Sequence, residues 1–200
     1  MTLPDAPDDL RRGLLAAMAG LTAIGTSSAS AAVRAMDPIE TPALVAYFSR
    51  SGNTRVIAGL IQRSIGADLF EIVPANAYPE DYLATVQKAT EERDRNLEPP
   101  LEAKVRDIGR YKTIFLGLPI WGETVPPVVR SFLAAHDLSG KTLVPFITHG
   151  GYGLGNSEAV LARHAPKAQL RTAFSMQADQ ERQTMNSVNA WLGHQPVYPR

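Results

Sequence analysis

The chain has 200 residues, with 20 Lys and Arg against 20 Asp and Glu, and no cysteine. Disulfides, thiol nucleophiles and cysteine-ligated iron–sulfur clusters are therefore excluded, and a lack of cysteine suits an oxidising compartment. A net charge of +0 offers no basic surface of the kind that nucleic acid requires.

Residues 1–31 read as an export signal rather than as part of a fold. Arg11 and Arg12 are adjacent, an apolar run follows over 13–24, and small residues lead to Ala29-Ser30-Ala31, an A-x-A cleavage site. The paired arginines resemble the twin-arginine export route. The run is shorter than the roughly 20 residues a bilayer-spanning helix needs, although an uncleaved anchor is the alternative. Cleavage after Ala31 would leave 200 − 31 = 169 residues, enough for one domain. Its charge would be 18 basic against 17 acidic, or +1, once Asp5, Asp8, Asp9, Arg11 and Arg12 are removed. Residues 32–42, with Pro38 and Pro42, read as a linker to a domain over 43–195.

Strand and helix signals then alternate. Residues 44–48 form an apolar, β-prone run. Asn53–Ile65 fits a helix with Val56, Ile57, Leu60 and Ile61 on one face. A strand is predicted over 68–73. Residues 74–112 are polar and contain Pro79, Pro99 and Pro100, with one helix expected from Pro79 to about Arg95. Its charge run, Glu91 to Arg95, reads as a solvated face. Further strands are predicted over 112–118, 142–148 and 168–174. Helices are expected over 128–136 (just after Pro126-Pro127), over Ser157–His164 and over 181–192. Five apolar strands interleaved with helices predict an α/β fold, a doubly wound five-stranded parallel sheet. In strand order 2-1-3-4-5, a ligand lies beyond the carboxyl ends of strands one and three.

Three loops at that edge carry the candidate chemistry. The first is Ser49, Arg50, Ser51, Gly52, Asn53 and Thr54. It offers hydroxyl donors, a glycine that lets the backbone come close, and the free N–H groups of a helix N-terminus, all suited to an anion. It lacks the lysine of a nucleoside-triphosphate loop. The second loop contains Pro119, Ile120, Trp121 and Gly122, and the third Thr148, His149, Gly150, Gly151, Tyr152 and Gly153. Trp121 and Tyr152 could flank a flat ring. The glycine run lacks the G-x-G-x-x-G spacing of a dinucleotide fold, and Ser51 lacks the G-x-S-x-G elbow of a hydrolase. The four histidines show no H-x-x-x-H or H-E-x-x-H metal spacing.

Taken together, the loop [ST]-x-[ST]-G-x-T, the Gly-x-Pro-Ile-Trp segment with its Pro-Pro pair, and Thr-x-Gly-Gly resemble the flavodoxin family over about 43–192. That resemblance implies binding of flavin mononucleotide (FMN), its phosphate cradled by Ser49 to Thr54. Pro119 to Gly122 would flank the isoalloxazine, with Trp121 stacking, and Thr148 to Gly153 would close its other side. Gly122 would let a peptide beside the ring turn toward reduced N5. Each residue has a second reading: Trp121 as a core or partner contact, 150–155 as a plain turn, Arg50 and His149 as surface residues. The family's small carriers are strongly acidic and this chain is near neutral, which argues against a general cytoplasmic shuttle. The expected function is electron transfer after export to the periplasm, with a redox partner protein or a small-molecule acceptor. An FMN-dependent NAD(P)H:quinone or other small-acceptor reductase, and a flavin-free binding module, are the alternatives.

Overall fold

The computed structural model describes residues 42–177, 188 and 190–194. The export signal and most of the linker lie outside them. Five parallel positions are filled in the order β2-β1-β3-β4-β5, as the sequence predicts. The strands are β1 (Ala43–Tyr47), β2 (Asp68–Glu71), β3 (Thr113–Pro119), β4 (Thr142–His149) and β5 (Gln169–Leu170). A short β6 (Phe174–Gln177) also pairs with β4. The predicted last strand, 168–174, is thus split in two. From Leu143 to Phe146 on β4 is three steps, while their partners Leu170 and Phe174 are four apart, so one extra residue bulges between the halves.

Alternation along the strands divides the core between the two faces of the sheet. Ala43, Val45 and Tyr47 of β1 face helix α1 (Asn53–Ile65) together with Phe115, Val144 and Phe146. Leu44, Ala46 and Phe48 join Ile114, Leu116 and Leu118 on the other face. There they meet α3 (Pro127–Ala135), which supplies Val128, Val129 and Phe132, and α4 (Ser157–His164), which supplies Val160 and Leu161. The buried stripe of α1 is Thr54, Ile57, Ala58, Ile61 and Ile65. Val56, expected on that face, is 51% exposed because the helix is rotated toward the smaller Ala58. The closing helix falls mostly outside the described residues, but Val188, Ala190, Trp191 and Leu192 are helical and Val188 and Leu192 are buried. No described helix is long and apolar enough to cross a membrane.

The polar segment between β2 and β3 is an excursion closed at its base. Pro74 and Leu101 form an antiparallel bridge, and backbone bonds join Ala75 N to Pro100 O at 2.8 Å and Glu102 N to Val73 O at 2.9 Å. Within it α2 runs over Tyr82–Asp94, starting later than expected. Asp81 is its N-cap and accepts from the Ala84 N–H at 2.8 Å, so Pro79 and Glu80 stay outside the helix. A 3-10 turn over Ile108–Arg110 precedes β3.

Candidate functional site

The loops after β1, β3 and β4 meet at the carboxyl edge of the sheet around a cavity of about 420 Å³. From the first loop Arg50, Ser51, Asn53 and Thr54 line it. The first intrahelical bond of α1 runs from Val56 N to Gly52 O at 3.0 Å, which leaves the N–H groups of 53–55 without helical acceptors. Ser49 lies behind the lining and is buried, and its hydroxyl accepts the Gly52 N–H at 3.2 Å, holding the loop's shape. Gly52 likewise falls outside the lining. The Thr54 and Thr148 hydroxyls are 2.9 Å apart and buried, which joins the start of α1 to the end of β4. The Arg50 guanidinium donates to the Glu80 carbonyl, tying the first loop to the approach to α2.

The second loop contributes Pro119, Ile120, Trp121 and Gly122. Trp121 and Thr124 exchange backbone bonds of 3.1 and 3.3 Å around a two-residue turn. Gly122 and Glu123 both have positive φ there, 56° and 61°. That geometry is costly for glutamate. It is held from outside, since the Asn156 N–H donates to the Glu123 carbonyl at 3.0 Å. Gly155 packs so tightly against Glu123 that a Cβ there would lie 2.0 Å from the carbonyl oxygen.

Trp121 stands between the cavity and the core. Its ring lines the cavity and also meets Phe48 at 5.1 Å and Tyr78 at 4.8 Å, both edge-to-face. Behind it the Tyr78 hydroxyl donates to Glu92 at 2.7 Å. Burial, and then that carboxylate, push the Tyr78 phenol well above its usual pKa, so it stays protonated.

From the third loop Thr148, His149 and Gly150 line the cavity. Gly151, Tyr152 and Gly153 do not, and Tyr152 is 85% exposed. The Gly151 N–H donates to His149 Nδ1 at 3.2 Å, so the imidazole braces its own loop.

One wall has no counterpart in the sequence reading. Tyr82, Thr85, Val86, Ala89, Thr90 and Arg93 of α2 line the cavity. Their spacing, three or four residues at each repeat, is one helical stripe. It was hidden because half its members are polar and none is a large aliphatic residue. The charge run also differs from a solvated face: Glu92 is 8% exposed and Arg93 reaches the cavity. Arg130 of α3 lies beneath this end of α2, and its Nη1 donates to Asn96 at 3.3 Å. Burial lowers the Arg130 pKa, and its Nε and Nη2 are buried with no partner among the described residues.

A family model described as Flavodoxin matches residues 42–195, more than half of the chain. The chain belongs to the flavodoxin family. Among solved structures, this flavodoxin-family chain is 32% identical to a provisionally named flavoprotein from Bacteroides eggerthii DSM 20697, with a TM-score of 0.68. The match covers 76% of this chain and 96% of that one. A second provisionally named flavoprotein, from Bacteroides uniformis ATCC 8492, is 27% identical, with a TM-score of 0.69 over 76% of this chain and 98% of that chain. A flavoprotein in complex with FMN from Lactobacillus acidophilus NCFM is 20% identical, with a TM-score of 0.61 over 73% and 99%, and at that identity it shares the fold. No curated protein matches the sequence.

Proposed function

We propose that this protein binds FMN in the cavity at the carboxyl edge of its sheet and transfers electrons through it. The observation that carries the proposal is the convergence of three loops on one 420 Å³ cavity whose lining contains no Asp or Glu. That donor set suits a phosphate at one end and a flat ring beyond it. Membership of the flavodoxin family and the FMN complex of a protein with the same fold support the reading.

In this arrangement Ser51, Asn53 and Thr54, with the free N–H groups of α1, hold the phosphate, and Ser49 fixes the loop from behind. Trp121 forms one wall for the ring, braced by Phe48 and Tyr78 so that it keeps one orientation. Thr148 to Gly150 would supply a second wall, and Gly122 would offer backbone rather than a side chain to the ring. FMN, when bound, supplies one- and two-electron chemistry that no side chain of this cysteine-free protein offers.

The protein acts after export, a reading that rests on Arg11, Arg12, the apolar run 13–24 and the Ala29-Ser30-Ala31 site. Its electrons go to or from a partner protein or a small acceptor outside the cytoplasm. The α2 wall favours the small acceptor as a second reading, because it extends the cavity beyond the three loops.

An absorption spectrum of the purified protein, before and after adding FMN, tests the cofactor. A yellow protein that releases FMN on denaturation is expected, and a protein that ignores added FMN would refute the proposal. Oxidation of NADPH by the loaded protein would indicate a reductase, and its absence a carrier. Replacing Arg11 and Arg12 by lysine should block processing at Ala31 if the signal is of the twin-arginine type. Normal processing would refute that route.

A further inference from the structure

We propose that the α2 wall and Arg93 form a subsite for a small planar ligand bearing a carboxylate or sulfonate, an anionic quinone being the chemical class. The inference rests on the FMN reading, because it places this ligand beside the ring.

The cavity lining holds two arginines and no carboxylate, so its field favours anions. The two guanidiniums sit at opposite ends of α2. Arg50 is tied to the Glu80 carbonyl just before the helix, whereas Arg93 lies at its last turn. From Tyr82 to Arg93 is 93 − 82 = 11 residues, about 16 Å of helix. A phosphate held at Ser51 and Thr54 neutralises the first end and leaves Arg93 with Asp94, an exposed carboxylate outside the lining, as its counter-ion.

Arg93 is also aimed. Its Nε donates to Asp94 at 3.1 Å, and its Nη1 stands over Gly122, so near that a Cβ there would lie 2.6 Å from it. Among the described residues Nη1 and Nη2 have no hydrogen-bond partner. A guanidinium held by Nε with its two terminal nitrogens free is a fork that fits a carboxylate or sulfonate. On the N-terminal side of Arg93 along α2, Val86, Ala89 and Thr90 are short and uncharged, so the wall accepts the flat body of an aromatic ligand.

The test titrates the oxidised, FMN-loaded full chain with anthraquinone-2-sulfonate and, separately, with neutral 2-(hydroxymethyl)anthraquinone, by calorimetry. FMN content is checked first from the visible spectrum of each variant. Arg93→Met should weaken the sulfonate by at least about tenfold, the loss of one charge-assisted bond, and move the neutral ligand less than about threefold. Arg93→Lys should restore part of the loss by supplying a point charge. Arg95→Met, an exposed cation outside the lining, should change neither. Equal sulfonate binding by the unsubstituted and Arg93→Met proteins would overturn the subsite, as would equal losses for both ligands. FMN-loaded protein that does neither, binding no sulfonate at all, would also overturn it while leaving the cofactor reading intact. An unsubstituted protein that takes up no FMN would overturn both.

Discussion

Gly155→Ala tests how the third loop holds the second. Gly155 has φ +53°, and a Cβ there would lie 2.0 Å from the Glu123 carbonyl oxygen and 2.9 Å from its Cα. An alanine in the left-handed region costs about 1–2 kcal/mol. The contact is also roughly 1 Å or more too short, so the Trp121–Thr124 turn must move. That movement breaks the Asn156 N–H to Glu123 bond, about 1 kcal/mol, and disturbs the packing of Trp121 on Phe48 and Tyr78 for about 1–3 kcal/mol more. The total is about 3–6 kcal/mol. Gly153→Ala is the matched control, since Gly153 has φ +76° and nothing within 4 Å of an added Cβ. It pays only the backbone term, about 1–2 kcal/mol. Calorimetric melting should therefore place Gly155→Ala roughly 5–15 °C below Gly153→Ala, at about 2–4 °C per kcal/mol for a domain of this size. Titration with FMN should show the larger loss of affinity in the same variant. Equal melting temperatures for the two variants would refute the claim that Gly155 is required by contact with Glu123 rather than by its own backbone.

Three further outcomes follow from the site and the core. Thr148→Val should cost about 1–3 kcal/mol by leaving the buried Thr54 hydroxyl unpaired, and the Thr54→Val, Thr148→Val double variant should recover part of it. Additive losses in urea unfolding would show that the pair is not coupled. Trp121→Ala should weaken FMN by about 2 kcal/mol, roughly 30-fold, and Arg50→Ala by only a few-fold, because the Arg50 guanidinium already serves Glu80. Equal retention of FMN by the two would contradict the stacking role. His136 supplies the pH dependence: its Nε2 accepts the Val105 N–H at 3.0 Å and its Nδ1 donates to the Phe132 carbonyl at 2.7 Å, which requires the neutral ring. Burial holds its folded pKa below the unfolded value of about 6.5. Below that pH the unfolded chain binds more protons, so this stability is complete above about pH 6.5 and is lost as pH falls. His136→Gln should flatten the decline in urea stability between pH 7.5 and pH 5; an unchanged slope would exclude His136 as its source.

The strands and the three loops at the carboxyl edge were legible in the sequence, and the strand order 2-1-3-4-5 was expected from the doubly wound arrangement that alternating strands and helices imply. The strands and loops are local matters: the apolar, β-prone runs 44–48 and 112–118 mark strands, and hydroxyls and glycines after an apolar run mark where a strand must turn. Asn53–Ile65 and Ser157–His164 were legible to the residue because their ends carry Gly66 and the Ser157 start of a periodic run. Tertiary structure alone decided what closes the cavity. The stripe of α2 is too polar to announce a buried wall, and its place depends on the base bridge between Pro74 and Leu101, 27 residues apart (101 − 74). The burial of Glu92 depends on Tyr78, and the need for glycine at 155 depends on Glu123, a contact across 155 − 123 = 32 residues. The one-residue bulge between β5 and β6 depends likewise on β4. A period of two or of 3.6 residues records how a segment meets a generic core, but it does not record which distant backbone atom stands within 3 Å of it.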